Sequence, residues 1–141
     1  MNISDILKFK GHEVVTTTPE ASVAELLAQL AEHNVGALVV MRGDAVVGIV
    51  SERDVVRRLH EVGRSLLDGT VEQLMTTSVV ACASGDPLDD VANTMTENRV
   101  RHLPVIDNGR LSGIVTIGDV VLSRTRQLEH DRRQLEQYIS G

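Results

Sequence analysis

Apolar residues along this chain change spacing in a regular order. The run Val14-Val15-Thr16-Thr17-Thr18 has the composition of a short strand. Val23, Leu26, Leu27 and Leu30 then fall on one face of a helix, opened by the capping pair Ser22 and Glu25. Residues 35–41 and 45–50 are near-continuous apolar runs on either side of Arg42-Gly43-Asp44, which predicts a hairpin of strands covered on both faces. Helical spacing returns at Val55, Val56, Leu59 and Val62, with Ser51 placed to cap that helix and Gly63 to stop it. The predicted order is β-α-β-β-α.

The same order returns 65 residues later. Residues 14–56 lie on residues 79–121 without a gap, and Val35/Val100, Leu38/Leu103, Gly48/Gly113, Ile49/Ile114, Val50/Val115 and Asp54/Asp119 are identical pairs. In the second copy Val79-Val80-Ala81-Cys82 is the strand-like lead-in. Asp86 is placed to cap a helix with Pro87 in its first turn, and Leu88, Val91, Ala92 and Met95 make the matching stripe. Residues 100–106 and 110–115 flank Asp107-Asn108-Gly109, a strong hairpin signal, and Thr116 is placed to cap the closing helix. Between the copies, Val71, Leu74 and Met75 give the connection a small apolar helix face.

The chain therefore reads as an α/β protein of tandem β-α-β-β-α repeats with pseudo-twofold symmetry. The first repeat spans 1–63, a connection with a lead-in helix 64–77, the second repeat 78–123, and a C-terminal helix 124–141. That last helix carries Leu128, Leu135, Tyr138 and Ile139 roughly a heptad apart, and either folds back on its own chain or packs on a second subunit. A unit of about 45 residues buries too little surface to be secure alone. Two such units, sheet against sheet, would share a core and leave equivalent clefts between them.

Composition narrows what those clefts can hold. Phe9 and Tyr138 are the only aromatic residues among 141, so a planar ligand would be held by aliphatic side chains and backbone. The net charge is −6, and the basic pairs Arg57-Arg58 and Arg132-Arg133 each lie beside acidic residues, which argues against nucleic acid as a partner. The single cysteine, Cys82, excludes an intramolecular disulfide and fits a reducing compartment. No leader pattern and no apolar run of the ~20 residues that span a bilayer are visible, so the expectation is a soluble, cytoplasmic protein. The five histidines have no metal-ligand spacing, and no metal site is expected.

The strongest short motif is Gly48-Ile49-Val50-Ser51-Glu52-Arg53-Asp54, echoed by Gly113-Ile114-Val115-Thr116-Ile117-Gly118-Asp119. Each places a hydroxyl residue at a helix N-terminus, where backbone N–H groups favour an anion, and an aspartate suited to the two hydroxyls of a ribose. The glycine allows close approach of a ligand or of backbone. Ser-x-x-Asp and Thr-x-x-Asp also satisfy most of a capping box, so either motif could serve only to start its helix.

On these paired motifs the chain resembles a cystathionine β-synthase (CBS) domain pair, or Bateman module, over residues 3–122. The resemblance implies adenosine derivatives (AMP, ADP, ATP, also NAD(H) or S-adenosylmethionine) as ligands in two clefts between the repeats, with no other cofactor required. It implies that Asp54 and Asp119 hold ribose hydroxyls, that Ser51 and Thr116 touch ribose or phosphate, and that Arg53 reaches phosphate. The opposite repeat completes each cleft. For Asp54 the implied partners are Ala81, Cys82, Asp86, Val100, Arg101 and His102. For Asp119, whose cleft also includes Ile114, they are Thr17, Thr18, Ala21, Gly36 and Ala37. Arg101 and His102 resemble a basic pair facing phosphates, although His102 equally suits a core or hinge position. Gly118 stands where the first motif has Arg53, so the two sites should differ in affinity.

The expected function is that of a regulatory, energy- or redox-sensing module, not an enzyme, since no nucleophile–base pair accompanies the motifs. The resemblance further implies a disc-shaped homodimer acting on an effector protein that the sequence does not name. The other readings are a scaffold with vestigial nucleotide sites and, least favoured, an enzyme.

Overall fold

In a computed structural model, residues 1–140 are described. The element order is α1 (Ile3–Lys10), β1 (Thr16–Thr17), α2 (Val23–His33), β2 (Ala37–Arg42), β3 (Ala45–Ser51), α3 (Glu52–Val62), a 3-10 helix (Gly63–Asp68), α4 (Val71–Leu74), α5 (Leu88–Asn98), β4 (His102–Asp107), β5 (Arg110–Thr116) and α6 (Ile117–Ser140). Both predicted hairpins form. The antiparallel pair β2–β3 runs from Ala37↔Ser51 to Arg42↔Ala45, and β4–β5 from His102↔Thr116 to Asp107↔Arg110. Each register shifts at the same phase, between Val40 and Met41 and between Val105 and Ile106.

The lead-in strands are shorter than the sequence predicts, and unequal. β1 pairs in parallel with β2 at two positions, whereas in the second repeat only the bridge Cys82↔Val105 remains. Proline chemistry accounts for the loss. The Val39 amide donates to the Val15 carbonyl at 3.4 Å, but the equivalent residue of the second repeat is Pro104, which has no amide proton. The cap of α5 also differs from expectation. Pro87 takes the N-cap position, and the Asp86 carboxylate accepts from the Ala83 amide at 2.9 Å instead of capping the helix.

The buried side chains form two clusters in place of one shared core, and each cluster borrows a helix from outside its own repeat. Leu66, Val71 and Leu74 of the connection complete the first cluster, around Val23, Leu26, Leu38 and Val50. Ile3, Ile6 and Leu7 of α1 complete the second, around Leu88, Val91, Leu103 and Val115. The division of the chain at 63 and 78 therefore does not coincide with the division of its cores. Matching bridges anchor the exchange, Asn2↔Pro87 on one side and Ser22↔Thr70 on the other.

At the motif glycines protein approaches closely, from the end of α4 on one side and from α1 on the other. A Cβ at Gly48 would lie 2.8 Å from Met75 Sδ, and one at Gly113 would lie 2.8 Å from Leu7 Cδ2. Apolar surface is left over on the closing helices. No residue of α3 is buried, with Val56 65% and Leu59 47% exposed, and on α6 Val121 and Leu122 are likewise exposed. The tail is continuous with the second closing helix and does not fold back. Past Arg124, which pairs with Asp89 at 2.7 Å, and Arg126, which lies 3.9 Å over the Phe9 ring, its apolar residues Leu128, Leu135, Tyr138 and Ile139 are exposed. No helix among the described residues is long and apolar enough to cross a membrane.

Candidate functional site

Both motifs sit where a buried strand gives way to a helix, and both make the full capping box. The Ser51 amide donates to Asp54 Oδ2 at 2.8 Å, the Ser51 hydroxyl donates to the same oxygen at 3.0 Å, and the Asp54 amide returns to Ser51 Oγ at 3.3 Å. In the second motif the Thr116 amide donates to Asp119 Oδ2 at 2.9 Å and the Asp119 amide to Thr116 Oγ1 at 3.1 Å. Capping and ligand binding are thus compatible uses of one side chain. The cap engages Oδ2 of Asp54, and no protein donor among the described residues reaches its Oδ1.

The surroundings of the two aspartates differ. Asp54 opens on a cleft of about 570 Å³ between the repeats, lined from the first motif by Ser51, Glu52, Arg53, Asp54 and Arg57. The opposite wall is Asn98, Arg99, Val100, Arg101 and His102, and the floor includes Ile49, Thr76, Ser78 and Val80. Asp119 faces a cation instead. Lys10 Nζ lies 2.7 Å from Asp119 Oδ2 and donates to the Ile114 carbonyl at 2.9 Å.

Of the residues expected beside Asp54, the cleft brings together Ser51, Arg53, Val100, Arg101 and His102. Ala81, Cys82 and Asp86 are not among its lining. Cys82 belongs to the second core, where burial, reinforced by Asp86 and Asp107, pushes its thiol up to about 12 and keeps it protonated. Gly36 and Ala37, expected beside Asp119, line the Asp54 cleft. They start β2 as Arg101 and His102 lead into β4, and the two strand ends meet: a Cβ on Gly36 would lie 3.1 Å from His102 Nε2. Thr17 is buried opposite Val40, Ala21 packs on the first core, and the Thr18 carbonyl accepts from the Ala21 amide. None of the three hydrogen-bonds to the Asp119 motif.

Of the two roles open to His102, a basic residue facing phosphate or a core or hinge residue, its surroundings do not favour the charged one. Burial, helped by the nearby Arg101 and Lys10 charges and opposed by Glu52 and Asp119, holds its pKa below the ordinary 6.5. The ring is therefore neutral near pH 7, and the cations of the cleft are its arginines. Arg57 and Arg99 were missed in the sequence. Arg57 follows Arg53 by one helical turn, a spacing that could have revealed it. Arg99 closes α5 in the left-handed region at φ 53°, where position 34 of the first repeat carries asparagine.

With this arrangement in view, comparison with known proteins is decisive. The family model of the CBS domain matches residues 3–61 and again residues 71–124. The chain belongs to the CBS-domain family. It is 33% identical to the mitochondrial CBS domain-containing protein CBSX3 of Arabidopsis thaliana, over 99% of this chain and 72% of that one. Among solved structures, the CBS-domain containing protein ATU1752 from Agrobacterium tumefaciens superposes with a TM-score of 0.86 at 41% identity, covering 88% of this chain and 99% of that chain. The CBS domain pair of protein MJ0100, solved with 5′-methylthioadenosine and S-adenosyl-L-methionine, superposes at 0.76 with 28% identity, over 89% of this chain and 98% of that one. The two CBS repeats described above thus form a CBS-domain pair like those of these relatives.

Proposed function

We propose that this CBS pair is a regulatory module that binds an adenine nucleotide in the Asp54 cleft and signals occupancy to an effector protein. The observation that carries the reading is the cleft itself. It joins a helix N-terminus, a carboxylate oxygen without a protein donor and an opposing cationic wall, which suits a ribose phosphate. The adenine ring would lie against aliphatic and backbone surface such as Ile49, Val80 and Val100, because no aromatic residue lines the cleft. The MJ0100 pair, with its two adenine-bearing ligands, supports the ligand class. AMP, ADP, ATP and NAD(H) are the candidates, and no further cofactor is invoked.

Signalling needs a ligand that favours one arrangement over another, and a cleft built from two repeats supplies one by drawing them together. The exposed apolar residues of α3 and α6 favour a homodimer through those helices, with the α6 tail extending from it. The single buried cysteine fits a reducing, cytoplasmic setting. Calorimetric titration of the full chain with AMP, ADP, ATP and NADH tests the reading. Saturable heat that disappears in Asp54→Ala is the expected result. No heat with any of the four would leave a scaffold acting by protein contact alone.

A further inference from the structure

We infer that the Asp54 cleft selects nucleotides carrying two or more phosphates, and that Arg57 and Arg99 set this selectivity. The inference rests on the nucleotide reading above and extends it to the phosphate chain.

Four arginines, Arg53, Arg57, Arg99 and Arg101, line the cleft. A second chamber of about 430 Å³ adjoins it, lined by Arg53, Arg99 and Arg101 together with Thr96 and Ile117. Arg53, Arg99 and Arg101 thus line both spaces. None of the four arginines lies within 4.0 Å of a carboxylate among the described residues, although the chain has 20 acidic residues against 14 basic ones. Other arginines, at 42, 58, 124 and 132, do have acidic partners. Glu52 and Asp54 offset only part of the charge, and His102 adds none because burial keeps it neutral.

Such a cluster repels itself until an anion joins it. A single phosphate has three oxygens to share and cannot engage four forked donors spread over two helices and a strand end, whereas a di- or triphosphate can. The opposite half of the molecule is the internal control. The positions equivalent to Arg53, Arg57, Arg99 and Arg101 are Gly118, Leu122, Asn34 and Gly36, all uncharged. At the pair 34 and 99 the backbone is the same, φ 51° and 53°, a conformation that suits asparagine better than arginine. Arginine at 99 is thus not explained by the turn, and it lines both spaces.

The test is calorimetric titration of the full chain with AMP, ADP and ATP at one ionic strength, read as the ratio of ATP to AMP affinity. In the wild type this ratio is expected to be about tenfold or more, from the charge-assisted hydrogen bonds gained. Arg99→Asn and Arg57→Leu, which install the residues of the other half, should each bring it severalfold closer to one. Arg58→Leu, which removes the same charge from the neighbouring position paired with Glu61, should preserve the ratio. Equal affinity for AMP and ATP in the wild type, or an equal fall of the ratio in Arg58→Leu, overturns the inference while leaving nucleotide binding intact. Absence of binding by all three nucleotides overturns the underlying reading and the inference with it.

Discussion

The Asp54 and Asp119 motifs share a backbone and differ in almost everything that faces outward. Their capping bonds agree closely, 2.8 and 2.9 Å from the hydroxyl residue's amide to the carboxylate. Around Asp54 the chain places arginines and open space; around Asp119 it places Lys10. The exchanged helices extend the contrast. Leu7 and Met75 fill equivalent places over Gly113 and Gly48, so three residues further on Lys10 corresponds to Ser78. α4 stops at Leu74 and leaves the small Ser78 in the lining of an open cleft, whereas α1 runs on to Lys10 and carries its ammonium to the second carboxylate. Identity between the repeats is thus retained where it builds strands and caps, and lost at the charged positions around the two carboxylates.

The largest effect should separate the two aspartates directly. Asp54→Ala is expected to weaken nucleotide affinity about a hundredfold, the worth of two charge-assisted hydrogen bonds, while Asp119→Ala changes it less than about twofold. Equal losses in calorimetry would make the clefts equivalent and end the comparison.

Next in size is the packing that both halves share. Gly113→Ala sets a methyl 2.8 Å from the Leu7 side chain and should cost about 1–3 kcal/mol of stability in denaturant unfolding. Because the clash is with one flexible side chain, Leu7→Val in the same molecule should recover part of the loss; additive losses would mean that the glycine serves another purpose.

Lys10→Ala should sharpen the contrast at modest cost. The ion pair is partly exposed, so stability should change by no more than about 1 kcal/mol. Freed of its cation, Asp119 should then accept a second, weaker ligand, raising the stoichiometry from one toward two. A stoichiometry of two in the wild type would show that Lys10 yields to nucleotide unaided.

The smallest effect concerns His102, whose pKa is lowered in the folded protein. As pH falls below the ordinary value of 6.5, the unfolded chain takes up a proton that the folded chain resists, so stability falls with it. The melting temperature should decline more steeply over that range in the wild type than in His102→Ala, which copies Ala37. Parallel curves would assign the pH dependence to other groups.

The features legible in the sequence were those written in short spans. Ser22 with Glu25 starts α2 as its spacing announced, and both hairpins turn where Arg42-Gly43-Asp44 and Asp107-Asn108-Gly109 stand. What escaped was non-local. The helix α1 has a capping box at Asn2 and Asp5 and an apolar face at Ile3, Ile6 and Leu7, but its partners lie in the opposite repeat. Gly36 and Ala37, expected beside Asp119, line the Asp54 cleft as well, because sequence does not show that the two strand ends meet near the pseudo-axis. Arg57 read as one of a mixed-charge pair and Arg99 carried no signal, until the fold set both around one opening. The missing strand pairing at Pro104 was visible in principle, since an imino nitrogen cannot donate.

The exchange of helices also sets an order of events while the chain is being made. The first repeat can close its core once Met75 has emerged from the ribosome, since Leu66, Val71, Leu74 and Met75 are its last apolar contributions. The second must wait. Its cluster needs both Ile3 and Val120, and 104 residues separate Lys10 from the Ile114 carbonyl it finally reaches. Helix α1 therefore stays without its partners until the second repeat has been made, too short to be stable alone. The Lys10 contact that shuts the Asp119 motif can form only after the second repeat's closing strand has been made.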